Sequence, residues 1–533
     1  MSRFRNGRRG VVLVATMTLA MGALGSGPAV AQDNVLRYIT VEPTQGLDPA
    51  IAAADASRQP MSLIYEPLVD YDEAGNLVGH IAESWEASDD LLTWTFKLRE
   101  GTQFSDGAAI TAEDVLFSIN RMREGESMGG LLANVADVSI SDDGGSIVFS
   151  LSAPTNALPL NLSRRGNAAI LSQDAVEAFE DYFALPGSTS GPYMLKSFTP
   201  KDRAIFVANP NYWLEGSPRT ETIEYIFSED QNSWAAAIES GAADIANVGY
   251  ADAERLRAGG QVVVEQTDSL NPLFWGWDRT KAPFSDKRVR QAVAHAIDRQ
   301  GRIDACWFGT GAVTYGNILR PWDPNYVENA TYDDSDRDAA LARSGELLDE
   351  AGWVLADGDV RVAQGVEGVE DGTPLSFEVP YEGNWPAAEC ATLLLQDTLA
   401  DVGIDAIPDK YDPAPFWGDV AAGMHTMYHG GAGATNADDL YLNWFHSGGA
   451  LTALTTHLED AEIDAQIEAA VAASDAETAA QIYAELEQWQ ADELPMLVRG
   501  YQWTQTALGP GVDGYISRPD GAIRWLANVV VDR

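Results

Sequence analysis

The sequence lacks the local signatures of two common kinds of catalytic site. It contains no GxxxxGK[ST] phosphate loop and no HExxH pair. Nucleotide hydrolysis and zinc proteolysis therefore lack the motifs that usually carry them. We predict no catalytic residues, no metal site and no cofactor.

Basic residues and cysteines are also scarce. The chain has 34 Lys and Arg against 80 Asp and Glu, for a net charge of −46. Because such a surface repels phosphates and anionic lipids, we expect no nucleic-acid partner. The two cysteines are Cys306 and Cys390. An oxidising compartment would permit a bridge between them, but their distance along the chain leaves a disulfide and two buried free thiols both open.

The most apolar segment lies near the start and is too short to span a bilayer, which takes about 20 apolar residues. It covers residues 11–24, follows Arg3, Arg5, Arg8 and Arg9, and precedes Ala29-Val30-Ala31. This order is typical of a secretory signal peptide cleaved after Ala31. We therefore expect a soluble periplasmic protein with no direct membrane insertion.

A chain of 533 residues exceeds what one hydrophobic core supports. Leu92, Trp94, Phe96 and Leu98 alternate with polar residues, which predicts a half-buried strand. Helices are predicted after Thr111, Ser285 and Asp475 from capping residues followed by apolar residues at helical spacing. Strands and helices mix without regular alternation, so we expect an α/β or α+β fold.

One long block carries a resemblance to a known family. Residues 80–122, HIAESWEASDDLLTWTFKLREGTQFSDGAAITAEDVLFSINRM, resemble the signature of the family 5 solute-binding proteins of ABC importers, which include dipeptide-, oligopeptide- and nickel-binding proteins. Further blocks in the same order are LDPA from Leu47, SGPYMLKSF from Ser190, NPNYW from Asn209, PFSDKRVRQAVAHAIDR from Pro283 and LPMLV from Leu494.

The resemblance implies a two-lobed binding protein whose ligand lies in a cleft between the lobes. The first lobe would comprise residues 32–56, 190–268 and 505–533, with residues 57–189 inserted as a subdomain and 269–504 forming the second lobe. It also implies a small-molecule or peptide ligand, a membrane permease as partner and a monomeric state. The alternative from the residues alone is a secreted carboxylate-dependent hydrolase such as a glycosidase.

Candidate ligand contacts come from residues near predicted loop ends. Aromatic rings suit a cleft because they stack on a solute at small entropic cost. The predicted ligand-binding residues are Asp55, Ser57, Trp275, Trp277, Asp278, Asn384, Trp385, Trp417, His429 and Asn436. His425 and His429 are four apart, but the local pattern predicts a strand entering a turn, where two such imidazoles do not share a helix face.

A departure from the family bears on the ligand. Peptide-binding relatives hold the α-amino group of the ligand with an Asp in a second-lobe turn. Here Ala434 occupies the Asp position and Gly431 the position of a Trp in oligopeptide binders. We expect a bulkier or differently charged solute, such as a modified peptide, an oligosaccharide or a cationic metabolite. The alternative is that Asp438 or Asp439 supplies the carboxylate and ordinary peptides bind.

Overall fold

The structure is a computed structural model, and it describes most of the chain beyond the amino-terminal segment. The described residues are 35–43, 45–52, 55–73, 76–125, 129–163, 168–179, 181–320, 323, 325–355, 358–383, 385–431, 437–449, 451–452, 456–473, 475–518 and 523–533. The predicted signal peptide and its cleavage site lie outside them.

Within those ranges the chain forms strands in both halves. They are β1 (Val35–Thr40), β2 (Val69–Tyr71), β3 (Leu77–Gly79), β4 (Ala82–Ala87), β5 (Thr93–Leu98), β6 (Val135–Ile140), β7 (Ser146–Leu151), β8 (Tyr193–Thr199), β9 (Arg203–Ala208), β10 (Thr222–Phe227), β11 (Ile245–Asn247), β12 (Val263–Trp277), β13 (Trp353–Leu355), β14 (Arg361–Ala363), β15 (Ser376–Glu382), β16 (Asp405–Tyr411), β17 (Met427–Gly431), β18 (Met496–Leu508), β19 (Val512–Asp513) and β20 (Val530–Val531).

Helices are interspersed among these strands. They are α1 (Asp55–Ile64), α2 (Ala112–Glu124), α3 (Leu158–Asn161), α4 (Gln173–Ala178), α5 (Trp234–Glu239), α6 (Tyr250–Gly259), α7 (Lys287–Ala296), α8 (Arg299–Trp307), α9 (Arg337–Glu350), α10 (Pro386–Ala400), α11 (Pro413–Ala421), α12 (Ala437–Trp444), α13 (Ala461–Val471) and α14 (Ala476–Glu493). This confirms a mixed α/β chain.

Local capping chemistry explains where the predicted helices begin. The Thr111 side chain accepts from the Asp114 N–H while the Asp114 carboxylate accepts from the Thr111 N–H, a complete capping box for α2. Asp475 caps α14 as expected. The prediction that Ser285 caps α7 is wrong by one residue. Asp286 does so, because its carboxylate is the group that reaches the Arg288 N–H.

One eight-stranded sheet connects the two halves of the molecule, with strand order β17-β12-β18-β11-β1-β10-β9-β8. The long strands β12 and β18 pair antiparallel along most of their length, and their register shifts between Asp268 and Pro272. Before this shift β18 also pairs with β11, and after it β12 also pairs with β17. These two strands therefore cross between the predicted first and second lobes, whose bounds stay a prediction.

A separate four-stranded sheet lies within the predicted inserted subdomain. Its order is β4-β5-β7-β6, and the buried Phe96 and Phe149 lie in its core with α2. The side chain of Arg121 on α2 donates to both carboxylate oxygens of Asp48, at 2.5 and 2.6 Å. This two-pronged ion pair connects the subdomain to the first-lobe loop before α1. Residues 57–189 as the boundary of the subdomain stay a prediction.

Helices cover the second-lobe part of the large sheet. Val289 and Val293 of α7 and Leu347 and Leu348 of α9 contribute to one core cluster, and α8 contacts α10 beside it. Cys306 of α8 and Cys390 of α10 form a disulfide, with Cα atoms 5.8 Å apart. The question that the sequence left open is thus resolved in favour of the bridge. No helix among the described residues is long and apolar enough to cross a membrane.

Candidate functional site

The crossing of β12 and β18 defines where a ligand between the lobes would lie. Near it, Leu273 of β12 pairs with Gly431 of β17 on one side and Gly500 of β18 on the other. A strand rises about 3.3 Å per residue, so each further residue towards Trp277 moves away from the junction. The position of a residue along β12 therefore shows whether it lies near the cleft or within the core of the predicted second lobe.

Trp385 and His429 lie together at this junction. The indole of Trp385 meets the imidazole of His429 edge to face, with ring centroids 4.9 Å apart. A Cβ added to Gly431 would lie 2.9 Å from Cη2 of Trp385. The indole from the start of α10 therefore occupies the space beside Gly431, and any larger residue at 431 would displace it. Gly431 is the only signal in the sequence for this arrangement, because a residue without a side chain leaves room for a neighbouring ring.

Trp417 of α11 packs against the opposite face of β17 from Trp385. Successive residues of a strand point to opposite faces, and Trp385 contacts His429 while Trp417 contacts the neighbouring Tyr428, at a centroid distance of 6.2 Å. Trp417 joins the core cluster containing Phe274 and Trp444. The structure therefore does not bring Trp417 together with Trp385 and His429.

Trp277 and Trp275 are both almost fully buried. Trp277 stacks on Phe284 at 5.4 Å, and its Nε1–H donates to the Leu494 carbonyl at 2.8 Å. It is 0% exposed and belongs to the second-lobe core, which is the position of a structural residue. Trp275 is 1% exposed and pairs with His429 across the strands, so the two side chains lie on the same face of the sheet.

Asp278 directly follows the end of β12, roughly 17 Å from Leu273 at the junction. Its carboxylate accepts from the N–H and the hydroxyl of Thr280, at 2.9 and 2.6 Å, and pairs with Lys281 at 2.8 Å. Burial raises the pKa of Asp278, but the hydrogen bonds from Lys281 and Thr280 outweigh it and lower the pKa. These contacts assign the carboxylate to a turn on the second lobe.

The first-lobe candidates are Ser57 and Asp55, at the start of α1. Ser57 is 0% exposed, and its hydroxyl accepts from the Gln45 N–H at 3.1 Å, so it joins α1 to the preceding loop. Asp55 is the first residue of α1. Asn384, Asn436 and Ala434 lie outside the described residues.

Two arginines at the junction were missed by the sequence analysis. Arg499 of β18 donates to Nε2 of His429, and Arg302 of α8 donates to the Arg499 carbonyl. Their guanidinium groups lie over the ring of Trp307, at 5.7 and 4.4 Å. The available signal was a charged residue within an apolar pattern. Arg499 follows LPMLV, and Arg302 precedes the buried Ile303 in α8.

The surroundings of this cluster disfavour the positively charged forms of its arginine and histidine side chains. Burial lowers the pKa of Arg302 to about 9, with the neighbouring Arg299 acting in the same direction. Burial and then Arg302 also lower the pKa of Arg499. For His429, burial and the two arginines lower the pKa well below its usual value, so its imidazole is neutral.

The predicted first lobe contributes Tyr250 to this cluster, and the ring of Tyr250 stacks on that of Trp307 with centroids 6.4 Å apart.

The alternative amine anchors, Asp438 and Asp439, lie in the first turn of α12. Asp438 accepts from the Tyr483 hydroxyl, and Asp439 accepts from the Asn443 amide at 2.6 Å. Burial raises the pKa of Asp438 to about 6, against the opposing effect of the Tyr483 hydrogen bond. Whether either carboxylate meets a ligand amine stays a prediction.

We expect Asp438→Asn to stabilise the protein at pH 7 to 8 by roughly 1 to 2 kcal/mol. The folded-state pKa of Asp438 is raised, so its contribution is fully present below about pH 4 and is lost as the pH rises through about 6. Asparagine stays neutral and still accepts from Tyr483. Urea unfolding at pH 4, 6 and 8 should show the difference closing at low pH.

The control for this measurement is Asp137→Asn on the exposed side of β6, which should change stability by less than about 0.5 kcal/mol at each pH. An Asp438→Asn variant that is less stable than the parent at pH 8 would mean that the carboxylate is charged and satisfied there.

In the part of the chain that the structure describes, no group of three or more His, Cys, Asp or Glu residues is arranged to hold a metal ion. His429 lies within strand β17, as the sequence pattern predicted, and His425 precedes that strand, where it contacts Tyr411 at 5.0 Å. Long strands that cross between two halves of the molecule, with aromatic rings beside the crossing, are the arrangement expected of a two-lobed solute-binding protein.

Comparison with known proteins identifies the family. Residues 76–452 match the model for bacterial extracellular solute-binding proteins, family 5. The chain belongs to this family, and its function is that of the solute-binding component of an ABC importer. The hydrolase alternative finds no support.

Two curated relatives match along nearly the whole chain. The probable D,D-dipeptide-binding periplasmic protein DdpA of Escherichia coli is 25% identical over 506 residues, which cover 92% of this chain and 93% of the relative. The glutathione-binding protein GsiB of Salmonella typhi is 24% identical over 528 residues, covering 95% and 96%. These relatives are binding proteins rather than enzymes.

Solved structures show the same fold. NikA of Brucella suis, in complex with Fe(III)-EDTA, matches with a TM-score of 0.81 and 23% identity over 93% of this chain and 100% of that chain. The oligopeptide-binding protein AppA of Bacillus subtilis, in complex with a nonapeptide, matches with a TM-score of 0.76 and 22% identity over 94% and 99%. The predicted two-lobed fold is thereby confirmed.

Proposed function

We propose that this chain captures a small peptide-like solute at the junction of its lobes and delivers it unchanged to a membrane permease. The observation that carries this proposal is the pair of rings at the junction, Trp385 and His429, with Gly431 leaving room for the indole. A flat, partly exposed ring beside a crossing point suits a solute that closure of the lobes would cover.

A peptide-like solute is favoured by the two relatives, which are named for a D,D-dipeptide and for glutathione. Modified peptides fit the absence of an aspartate at position 434. A cationic metabolite is less favoured, since the charged group found beside His429 is an arginine. An oligosaccharide is less favoured because the two relatives are named for peptides.

The test is calorimetry with D-alanyl-D-alanine, glutathione and ordinary dipeptides, each with a free and an N-acetylated amino group. We expect binding without turnover, and Trp385→Ala should weaken the tightest ligand by about 10- to 100-fold, because a central aromatic contact is lost. Intrinsic fluorescence should change on binding, since lobe closure alters the surroundings of tryptophan.

The matched control is Trp417→Ala on the opposite face of β17, which should leave affinity within about 3-fold of the parent. Loss of binding in Trp417→Ala but not in Trp385→Ala would put the site on the other face. Conversion of any ligand to a product would refute the proposal that nothing is catalysed.

Export and oligomeric state belong to the same proposal. We infer that the mature chain begins at Gln32, because a basic segment, an apolar segment and Ala29-Val30-Ala31 precede it. The monomeric state is inferred from the resemblance to the family. Intact-mass measurement of periplasmic protein should give the mass of residues 32–533, and light scattering should give one chain per particle. A retained leader or a dimer would contradict these points.

A further inference from the structure

Two guanidinium groups lie buried beside each other at the lobe junction, and neither has an acidic partner among the residues that the structure describes. Arg302 is 2% exposed and Arg499 is 1% exposed. Among the described residues, the ion pairs of the second lobe involve other arginines, such as Arg299 with Asp334 and Arg320 with Asp323. The nearest acids to Arg302 already have partners. Asp298 accepts from the Gly301 N–H, and Asp334 accepts from the Arg299 N–H.

The same cluster holds many hydrogen-bond donors without a partner. Within the described part of the chain, the nitrogen atoms lacking one are Nε and Nη1 of Arg302, Nε and Nη1 of Arg499, Nδ1 of His429 and Nε1 of Trp275 and Trp307. His429 accepts from Arg499 through Nε2, so its proton is on Nδ1. All seven atoms are therefore N–H groups that an acceptor could satisfy.

Such an arrangement is costly unless an anion completes it. A buried charge without a counter-charge carries a large desolvation penalty, and unsatisfied buried donors add to the cost. The aromatic contacts of both guanidiniums offset only part of this. A planar guanidinium matches the two oxygens of a carboxylate or a phosphate, so an oxyanion is the ligand chemistry that this cluster fits.

Space exists next to the cluster. A cavity of about 100 Å³ lies between α8 and α10, lined by Arg302 and Trp275 together with Gly301, Leu394, Thr398 and one carboxylate, that of Asp298, which accepts from the Gly301 N–H. This volume is about that of three water molecules. Tyr250 and Trp307 border the cluster on the side of the first lobe.

We propose that Arg302 and Arg499, with the Nδ1–H of His429, form an oxyanion subsite at the lobe junction. The oxyanion that binds there is either the carboxylate of the imported solute or a free inorganic anion, and the experiments below distinguish the two. The first source rests on the function proposed above, whereas the subsite itself can be tested without knowing the solute.

The first experiment uses the full mature protein and inorganic phosphate, with chloride at equal ionic strength as reference. Phosphate should raise the thermal midpoint of the parent by at least ~2 °C more than chloride and change tryptophan fluorescence with saturation. Arg302→Met and Arg499→Met should melt higher than the parent without phosphate, because an unpaired buried charge is removed, and should lose the phosphate effect.

Arg290→Met is the control, because Arg290 is equally buried but donates to the Phe284 and Glu493 carbonyls. It should melt lower than the parent in both salts and keep the difference between phosphate and chloride. The proposal is overturned if the Arg302 and Arg499 variants also melt lower and keep that difference. If neither variant folds, the parent alone decides, since an equal response to phosphate and chloride overturns the subsite.

The second experiment identifies the source with D-alanyl-D-alanine and its C-terminal amide. If the solute supplies the carboxylate, amidation should weaken binding by about 10-fold or more in the parent and less than about 2-fold in Arg499→Met, and phosphate should compete. If phosphate and the dipeptide bind together, the subsite holds a free anion. If no probe solute binds, the function proposed above fails while the phosphate result still decides the subsite.

Discussion

Replacing Cys306 and Cys390 together by serine is expected to lower the free energy of unfolding by about 4 to 5 kcal/mol. The bridge closes a loop with a sequence separation of 84, so breaking it returns conformational entropy to the unfolded chain. Urea unfolding of the oxidised parent and the double variant measures this difference.

Reduction provides the control for that comparison. The parent in reducing agent should unfold at the urea concentration of the double variant, and each single variant should match the double variant, because one missing sulfur already opens the loop. Identical unfolding of the oxidised and reduced parent would mean that the bridge is absent from the folded protein or closes a loop that is already constrained when unfolded.

The bridge also bears on the site. It joins α8, which carries Arg302, to the first half of α10, which begins next to Trp385. Opening it should therefore weaken solute binding as well as stability, since two elements that border the junction lose their connection. This cost would appear in the calorimetric screen at a temperature where the double variant is still folded.

Trp277→Ala is expected to cost about 3 to 5 kcal/mol of unfolding free energy, the usual range for truncating a buried Trp. The substitution leaves a cavity against Phe284 and leaves the Leu494 carbonyl without its donor. Trp277→Phe keeps a ring against Phe284 and should cost less, about 1 to 2 kcal/mol. Urea unfolding gives both values.

The Trp277→Phe variant also tests the position of the ligand site. Trp277 lies roughly 15 Å along β12 from the crossing, so Trp277→Phe should bind the solute as the parent does. Weaker binding in Trp277→Phe than in Trp385→Ala would restore Trp277 as a ligand contact and place the cleft further into the second lobe.

Several features followed from local sequence alone. Thr111 and Asp114 predicted the start of α2, and alternation predicted the strand that contains Trp94 and Phe96, because caps and faces depend on neighbours three or fewer residues away. The one-residue error at α7 has the same origin. Ser285 and Asp286 are both good capping residues, and only backbone geometry selects between them.

The sequence by itself determined the class of protein, since the long block at residues 80–122 and the order of the smaller blocks are properties of the chain read in one dimension. Tertiary structure alone decided which aromatic residues share a surface. Trp385 and His429 meet at the crossing, whereas Trp417, Trp277 and Asp278 lie on another face or further along β12. It also decided the disulfide and brought Arg302 next to Arg499, 197 residues away. Such neighbours arise from the pairing of distant strands and the packing of helices on them, and no local pattern of residues encodes that pairing.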